Sequence, residues 1–540
     1  MGPLLLFFLQ ASAYQSGVQA YSERRYAEAI PFLEKAASGG SQALVAQYML
    51  GNACLQAHQD AKAIQTFAAL FQVAPDSAAA HLLAAGMMLR AKLAPGAATE
   101  AGHALEMDPH IPQAHYVLGE ALSGGDDASA VAELQKEIDI NPSFSMAYYR
   151  LGDAYEKRGD WDRAIAVLER SIWLNPNHSG PYTLIGKAYL KRGDAGDAEG
   201  ALRHALQMDP QDRAIRQLLE QAAPKREPAP TLPSASPPAL PSAPPPALPS
   251  RDRQGAVAPA PSPAYLRGLA SYRRHDYAAA ALALKEALKE AMPAMPEASP
   301  QYRETLQMIG RSEYLAGHIP EAIPWLEKAS AAGARNNELS FVLGNSYLQT
   351  QQVPKARAAF ADLYGVAPES GAARLVTAHM LIRLELEDEA QAELETALAR
   401  EPKLPEAHHM LGEIAIYRAQ IDRAVAEFNR EIAINPGFAM AYYRLGDAYT
   451  RREDWEHAVP PLQRAVWLDP TYSGPYILLG KTYLKQGDLP EAERMLRRAL
   501  QMDPNNASAH YLLGRTLIQS GHEEEGKKLL RRWEELRQEK

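Results

Sequence analysis

Apolar residues recur along the chain with a helical period, pause at a short polar stretch, and resume. In residues 146–176, MAYYRLGDAYEKRGDWDRAIAVLERSIWLNP, the positions Tyr148, Leu151, Ala154 and Tyr155 fall at i, i+3, i+6 and i+7. That spacing lines one face of a helix. Arg158-Gly159-Asp160 breaks the stripe, and Ala164, Leu168 and Ile172 begin a second one. Asn175-Pro176 then closes the unit, because proline has no N–H and disfavours helix at the residue before it. The pattern predicts two amphipathic helices per unit. Gly152 and Ala164 carry almost no side chain, which predicts close approach of the two helices at that level. A single pair cannot bury both of its apolar faces, so neighbouring units must stack.

The unit recurs in phase. Small residues stand at Gly17, Gly51, Ala85, Gly119, Gly152 and Gly186, then at Gly268, Gly310, Gly344, Ala378, Gly412, Gly446, Gly480 and Gly514. Nearly every step is 34 residues, with one of 33 in the first series and one of 42 opening the second. Prolines keep the same beat from Pro75 to Pro210 and from Pro368 to Pro504. A second small series, beginning at Ala29 and at Ala280, follows each first position by about twelve residues.

Aromatic, Leu-Gly, Tyr, Ala and Pro in this order over 34 residues resemble the tetratricopeptide repeat. Fourteen units cover nearly the whole chain, with residues 145–212 and 439–506 the clearest. Residues 10–43 lack the closing proline, 261–302 is stretched, and 507–540 has Gly526 in the Ala place. The resemblance implies an all-α solenoid of helix-turn-helix units, here two right-handed superhelical blocks.

A longer symmetry lies over the short one. MAYYRLGDAY at 146–155 returns at 440–449, and SGPY at 179–182 returns at 473–476, an offset of 294. Leu50-Gly51-Asn52 returns at Leu343-Gly344-Asn345 with an offset of 293. An internal duplication with a one-residue indel accounts for both. Between the copies, residues 226–263 are too rich in proline for a helical repeat and favour polyproline II, a spacer reaching about 100 Å at full stretch. An SH3-type ligand role for this stretch is the alternative. The expected organisation is a leader at 1–13, a first block at 14–225 with about six repeats and a terminal helix, a linker at 226–263, and a second block at 264–540 with about eight repeats.

Composition narrows the function. Fifty-six Lys and Arg against 65 Asp and Glu leave a net charge of -9, which gives no electrostatic reason to wrap nucleic acid. The single cysteine, Cys54, excludes a disulfide scaffold and a cysteine-based zinc knuckle. No apolar run reaches the ~18–20 residues of a membrane span. Leu4 to Leu9 followed by Ala11-Ser12-Ala13 reads as a secretory signal without its basic start, which would place the protein in the periplasm or outside the cell. An apolar leader packing on the first helix, in a cytoplasmic protein, is the other reading.

Catalytic chemistry is hard to find. No phosphate-cradling Gly-rich loop, nucleophile elbow or His-Glu-x-x-His occurs. His408, His409 and Glu413 suggest a metal, yet His408 stands where Tyr148 and Tyr442 stand in other units, so no metal and no cofactor is expected. Cys54 sits at a core position of its repeat and reads as an inert thiol. The resemblance implies a groove lined by the first helix of each unit, at the residue after the Gly and the one three before it. Those two places are i and i+4 on one helix face. They hold Tyr48 and Asn52, Tyr116 and Glu120, Tyr149 and Asp153, and Lys187 in the first copy. The second copy has Phe341 and Asn345, His409 and Glu413, Tyr443 and Asp447, and Lys481. Two equivalent peptide grooves, tethered for avidity, are one reading. Duplication that copied ordinary residues of the repeat is the other. A clamp for a C-terminal carboxylate is not expected, since Tyr48 and Phe341 stand where it needs lysine. The expected function is a non-enzymatic scaffold or adaptor for other proteins. An assembly or export factor of the bacterial envelope, and a recognition partner of a separate enzyme such as a glycosyltransferase, are the alternatives.

Overall fold

The computed structural model describes residues 3–40, 42–125, 127–222, 262–291 and 299–538. Among these, the regular structure is helical throughout, in 29 helices. Fourteen consecutive pairs account for all but one. Six run from Pro3–Ser22 with Tyr26–Ala37 to Ser179–Arg192 with Ala195–Met208, and the unpaired helix Arg213–Ala222 follows. Eight more run from Pro263–Arg273 with Tyr277–Ala291 to Ala507–Gln519 with Glu523–Gln538. The leader Leu4–Leu9 lies within the helix Pro3–Ser22. All but the last two residues of the proline-rich stretch 226–263 lie outside the described residues.

Thirteen of the fourteen pairs are closed by the same turn. In the pair built on Gly152, Gly159 takes φ +74°, and the Asp160 N–H reaches back to the Tyr155 carbonyl at 3.0 Å. A left-handed residue with that back-bond satisfies carbonyls that the helix end leaves open. Among these thirteen pairs the equivalent place carries glycine in five and another residue in eight, among them Arg24 (φ 61°), His58 (φ 56°) and Glu453 (φ 59°). The turn is therefore set by the helices it joins, and glycine is optional there.

The level of closest approach is not optional. A Cβ on Gly51 would meet the Phe67 ring at 2.5 Å, and one on Gly186 would meet Leu202 Cγ at 2.5 Å. Gly152 faces Leu168, Gly446 faces Leu462, and Gly344 faces Phe360 in the same way. The sequence suggested that Gly152 and Ala164 approach each other. The structure adds the bulky residue four positions beyond Ala164, which fills the space that Gly152 leaves. At the last pair, Gly514 meets the Gly526 carbonyl oxygen and Leu530 instead.

The helices gather into two compact units, Met1–Ile140 with Pro405–Lys540, and Asn141–Leu404. Each unit draws on both copies of the duplication. In the first, Phe67, Leu70 and Phe71 share a buried cluster with Tyr442, Ala465 and Trp467. Tyr48 stacks on Trp467 with centroids 4.9 Å apart and planes 7° from parallel, and Phe71 meets Tyr442 edge-on at 6.0 Å. Arg90 donates to the Leu468 carbonyl at 3.1 Å, and Arg464 donates to the Leu70 carbonyl at 2.9 Å. In the second unit, Phe341 stacks on Trp173 at 4.5 Å and 11°, and Tyr364 meets Tyr148 edge-on at 6.0 Å. Arg383 donates to the Trp173 carbonyl, and Asn337 donates to the Ala166 carbonyl at 3.0 Å.

The ring contacts are one set made twice, and an arginine at the same place donates to a neighbouring carbonyl in each. Tyr48, Phe71 and Arg90 correspond to Phe341, Tyr364 and Arg383, while Tyr148 and Trp173 correspond to Tyr442 and Trp467. Each copy supplies one patch of each kind, and each patch is met by the complementary patch of the other copy. Each of the two compact units contains one set of these contacts. The copies are thus joined by packing as well as by the chain between them, which tethered independent blocks would not show.

Two outcomes are expected. Gly152→Leu should destabilise the protein by ~1–3 kcal/mol through overpacking, whereas Gly200→Ala, with nothing within 4 Å of the added carbon, should not. Urea unfolding of both variants decides this, and equal midpoints would contradict the register. Separately, a protease site placed between residues 226 and 261 should leave the two fragments co-eluting after cleavage. Trp173→Ala with Trp467→Ala should let them part while helical content by circular dichroism is kept. Wild-type fragments that separate on cutting would disprove reciprocal packing.

Candidate partner-binding surface

The fourteen residues expected to line grooves fall into three environments. Tyr48 and Phe341 are engaged with Trp467 and Trp173 of the opposite copy, and Phe341 is buried. The asparagines one turn along turn inward on their own helices, with Asn52 donating to the Tyr48 carbonyl and Asn345 to the Phe341 carbonyl, both at 2.9 Å. Tyr48 and Phe341 thus serve packing between copies, and the two asparagines are engaged by their own helices.

His409 and Asp447 are also buried. The His409 ring lies 5.1 Å from Phe438 and 5.7 Å from Phe428, and burial pulls its basicity below that of an ordinary imidazole. Asp447 pairs with Arg451 at 3.0 Å. His408 does not join His409 in a metal site, because it turns to Glu427 at 2.7 Å.

The remaining residues are partly exposed. In the second unit, Tyr149 meets the His178 ring edge-on at 4.8 Å, and the Arg150 guanidinium lies 5.2 Å from its centroid. Asp153 pairs with Lys157 at 2.9 Å, and Lys187 with the buried Glu156 at 2.8 Å. In the first unit, Tyr443 meets Tyr472 edge-on at 5.2 Å with Arg444 5.4 Å from its ring. Arg444 also pairs with Glu413 at 2.9 Å. Tyr116 and Glu120 are half-buried on the helix Ala114–Leu122. Lys481 lies over the Trp455 ring at 5.8 Å. The two copies differ here, because Thr450 occupies the place that Glu156 holds beside Lys187.

The sequence did not single out Arg150, Arg444, His178 or Tyr472. Their signal was present, since the two arginines lie inside the duplicated MAYYRLGDAY segment itself. The rule of two groove positions per helix passes over them. A cationic side chain on an aromatic face contributes ~0.5–1 kcal/mol at an exposed site.

The first helices are anchored by buried carboxyls. Glu137 accepts the Gln113 N–H at 2.9 Å and the Tyr116 N–H at 3.2 Å. Glu431 accepts the Glu406 N–H at 2.9 Å and the His409 N–H at 3.2 Å. Each satisfies open donors at a helix start, and Gln113 (φ 70°) and Glu406 (φ 66°) adopt left-handed backbone beside them. Burial pushes both carboxyls up to about 7, partly offset by the backbone hydrogen bonds. Cys54 is buried as expected, and burial raises its thiol to about 11.

The same repeat is found by comparison with known families. Models described as tetratricopeptide repeat match residues 20–86 and 483–539, 151–223, 133–166, and 307–372, 341–405 and 409–473. Together they span well over half of the sequence. The chain is a tetratricopeptide repeat protein. No curated protein is significantly similar to it. Among solved structures, this tetratricopeptide repeat protein is similar to MamA (41-end) from Desulfovibrio magneticus RS-1, with 22% identity, 32% of this chain and 96% of that one covered, and a TM-score of 0.30. It is also similar to YrrB, with 21% identity, 34% and 93% covered, and a TM-score of 0.30. For the Cut9–Hcn1 hetero-tetramer the figures are 14%, 94% and 96%, with a TM-score of 0.29. No helix among the described residues is long and apolar enough to cross a membrane.

The raised carboxyls have a sign. A folded-state value above the ordinary ~4.3 means that the native protein holds these protons more tightly than the unfolded chain does. Their stabilisation is fully present below about pH 4 and is lost as pH rises through about 7. Glu137→Gln with Glu431→Gln keeps an acceptor oxygen and removes the titration. The wild type should therefore lose melting temperature relative to this variant between pH 5 and pH 8. A constant difference across that range would show that neither group titrates there.

Proposed function

We propose that this tetratricopeptide repeat protein is a non-enzymatic scaffold that holds segments of partner proteins against the first helices of its repeats. The observation that carries the reading is the duplicated, partly exposed arrangement of Tyr149, Arg150 and His178 in one unit and Tyr443, Arg444 and Tyr472 in the other. Rigid aromatic rings flanked by a guanidinium are the residue types that anchor peptides. Tyr48, Asn52, Phe341 and Asn345 leave the proposed contact set, because the opposite copy or their own helix engages them. The contact set is then Tyr149, Asp153 and Lys187 in one unit, and Tyr443, Glu413 and Lys481 with Tyr116 and Glu120 in the other. The two surfaces bind related segments with unequal strength, since Glu156 neutralises Lys187 while Thr450 leaves Lys481 without that acid. The leader Leu4–Leu9 with Ala11-Ser12-Ala13 supports a site of action in the envelope, periplasmic or secreted.

The test is a cross-linked pull-down from the native host with the full chain, followed by mass spectrometry. Tyr149→Ala with Asp153→Ala, and Tyr443→Ala with Lys481→Ala, should each lower recovery of the principal partner by at least about tenfold, the scale of losing an aromatic anchor. Melting temperatures should stay near the wild-type value. Undiminished recovery by both variants would refute the proposed surface.

A further inference from the structure

The first helix of several repeats carries a cationic or imidazole side chain four residues before its small Gly or Ala, aimed at a glutamate on the second helix. His115 meets Glu133 at 2.5 Å, His408 meets Glu427 at 2.7 Å, and Arg374 meets Glu393 at 2.9 Å. Each of these glutamates has a second partner that is a permanent cation: Lys136 at 2.7 Å, Arg430 at 2.8 Å and Arg357 at 2.7 Å. The repeat at residues 78–107 departs from this. Glu100 lies 2.6 Å from His81 Nδ1 and 3.7 Å from His103 Nδ1, and no Lys or Arg pairs with it among the described residues. The two imidazole rings stand 5.7 Å apart, and one donor atom from each of the three residues lies within 4.8 Å of the others.

We propose that His81, Glu100 and His103 form a binding site for a zinc-type divalent cation. Two imidazole nitrogens and a carboxylate oxygen are the donors that borderline metals such as zinc prefer, at ~2.0–2.2 Å each. Tetrahedral placement at that distance sets donors roughly 3.3 Å apart. The two separations to Glu100, 2.6 and 3.7 Å, bracket that value, and the two imidazole donors lie within 4.8 Å of each other. The metal takes the place of the hydrogen bond between His81 Nδ1 and Glu100. His103 is about half exposed, which leaves the fourth position open to water or to a donor from a partner. Both helices of the pair hold their ligands rigidly, with His81 on Ala78–Arg90 and Glu100 and His103 on Ala94–Met107. The second copy of the duplication puts Arg374, Glu393 and Thr396 in the three places, so the site belongs to one copy alone.

That second copy also supplies the control. His81→Arg with His103→Thr rebuilds the Arg–Glu arrangement that the fold already contains, and it should fold with wild-type helicity. Calorimetric titration of the full metal-free chain with zinc should show one site of micromolar affinity in the wild type and its loss in this variant. A zinc-induced rise in melting temperature should disappear with it. The pairs His115–Glu133 and His408–Glu427 persist in the variant and report any general affinity of His–Glu pairs. No stoichiometric uptake by the wild type, or equal uptake by the variant, would overturn the site.

Discussion

The fold rests on one steric relation repeated along the chain: a residue with no side chain, or a methyl alone, under a Leu or Phe from the paired helix. The void left at Gly51, Gly152 or Gly446 is filled by Phe67, Leu168 or Leu462. Close packing of this kind makes the separation of two helices a fixed quantity, because any added carbon has nowhere to go. The turn between them inherits its geometry from that separation. This explains why eight of the fourteen turns hold a left-handed residue other than glycine. Such a residue costs local energy, and the packed pair on either side enforces it.

A rigid pair gives the duplication its consequence. When a sequence is copied whole, every surface patch is copied with it, and two patches that fit each other can be satisfied twice. Tyr48 on Trp467 and Phe341 on Trp173 are those two occasions. The arginine-to-carbonyl bonds of Arg90 and Arg383 follow the same exchange. The one-residue indel falls between the two kinds of patch, so each keeps its internal spacing and the contact is made in the same register both times. Large aromatic rings at the centre of the contact concentrate its energy in a few residues.

The element order was legible in the sequence because it depends on periodicity alone. Fourteen helix pairs, a lone helix after the sixth, and the level of closest approach all follow from where Gly, Ala and Pro recur. The meeting of the copies was not legible. Amphipathic helices show that a face is buried, and they do not show which distant face covers it. Tyr48 and Phe341 therefore read as groove residues when they are contacts between copies. His409 read as a groove residue too, but the rings of Phe428 and Phe438 enclose it. Glu137 and Glu431 drew no attention, because a glutamate on an amphipathic helix ordinarily faces water. Their role appears only once the backbone N–H groups at the start of the preceding helix of the pair are seen to end on them.

The cation–glutamate places show where such a repeat is free to change. They lie between the two helices of a pair but near its rim, so a substitution there leaves the Gly–Leu level untouched. Imidazole, guanidinium and ammonium groups all occur across equivalent repeats, each satisfying the same kind of carboxylate. Chemistry can vary at that level without redesigning the core, since the glutamate needs only a donor. His81, Glu100 and His103 are the case in which two such changes coincide in one repeat. With the permanent cation replaced by a second imidazole, the carboxylate becomes one corner of a three-donor set, and a structural ion pair becomes the proposed place where a ligand can bind.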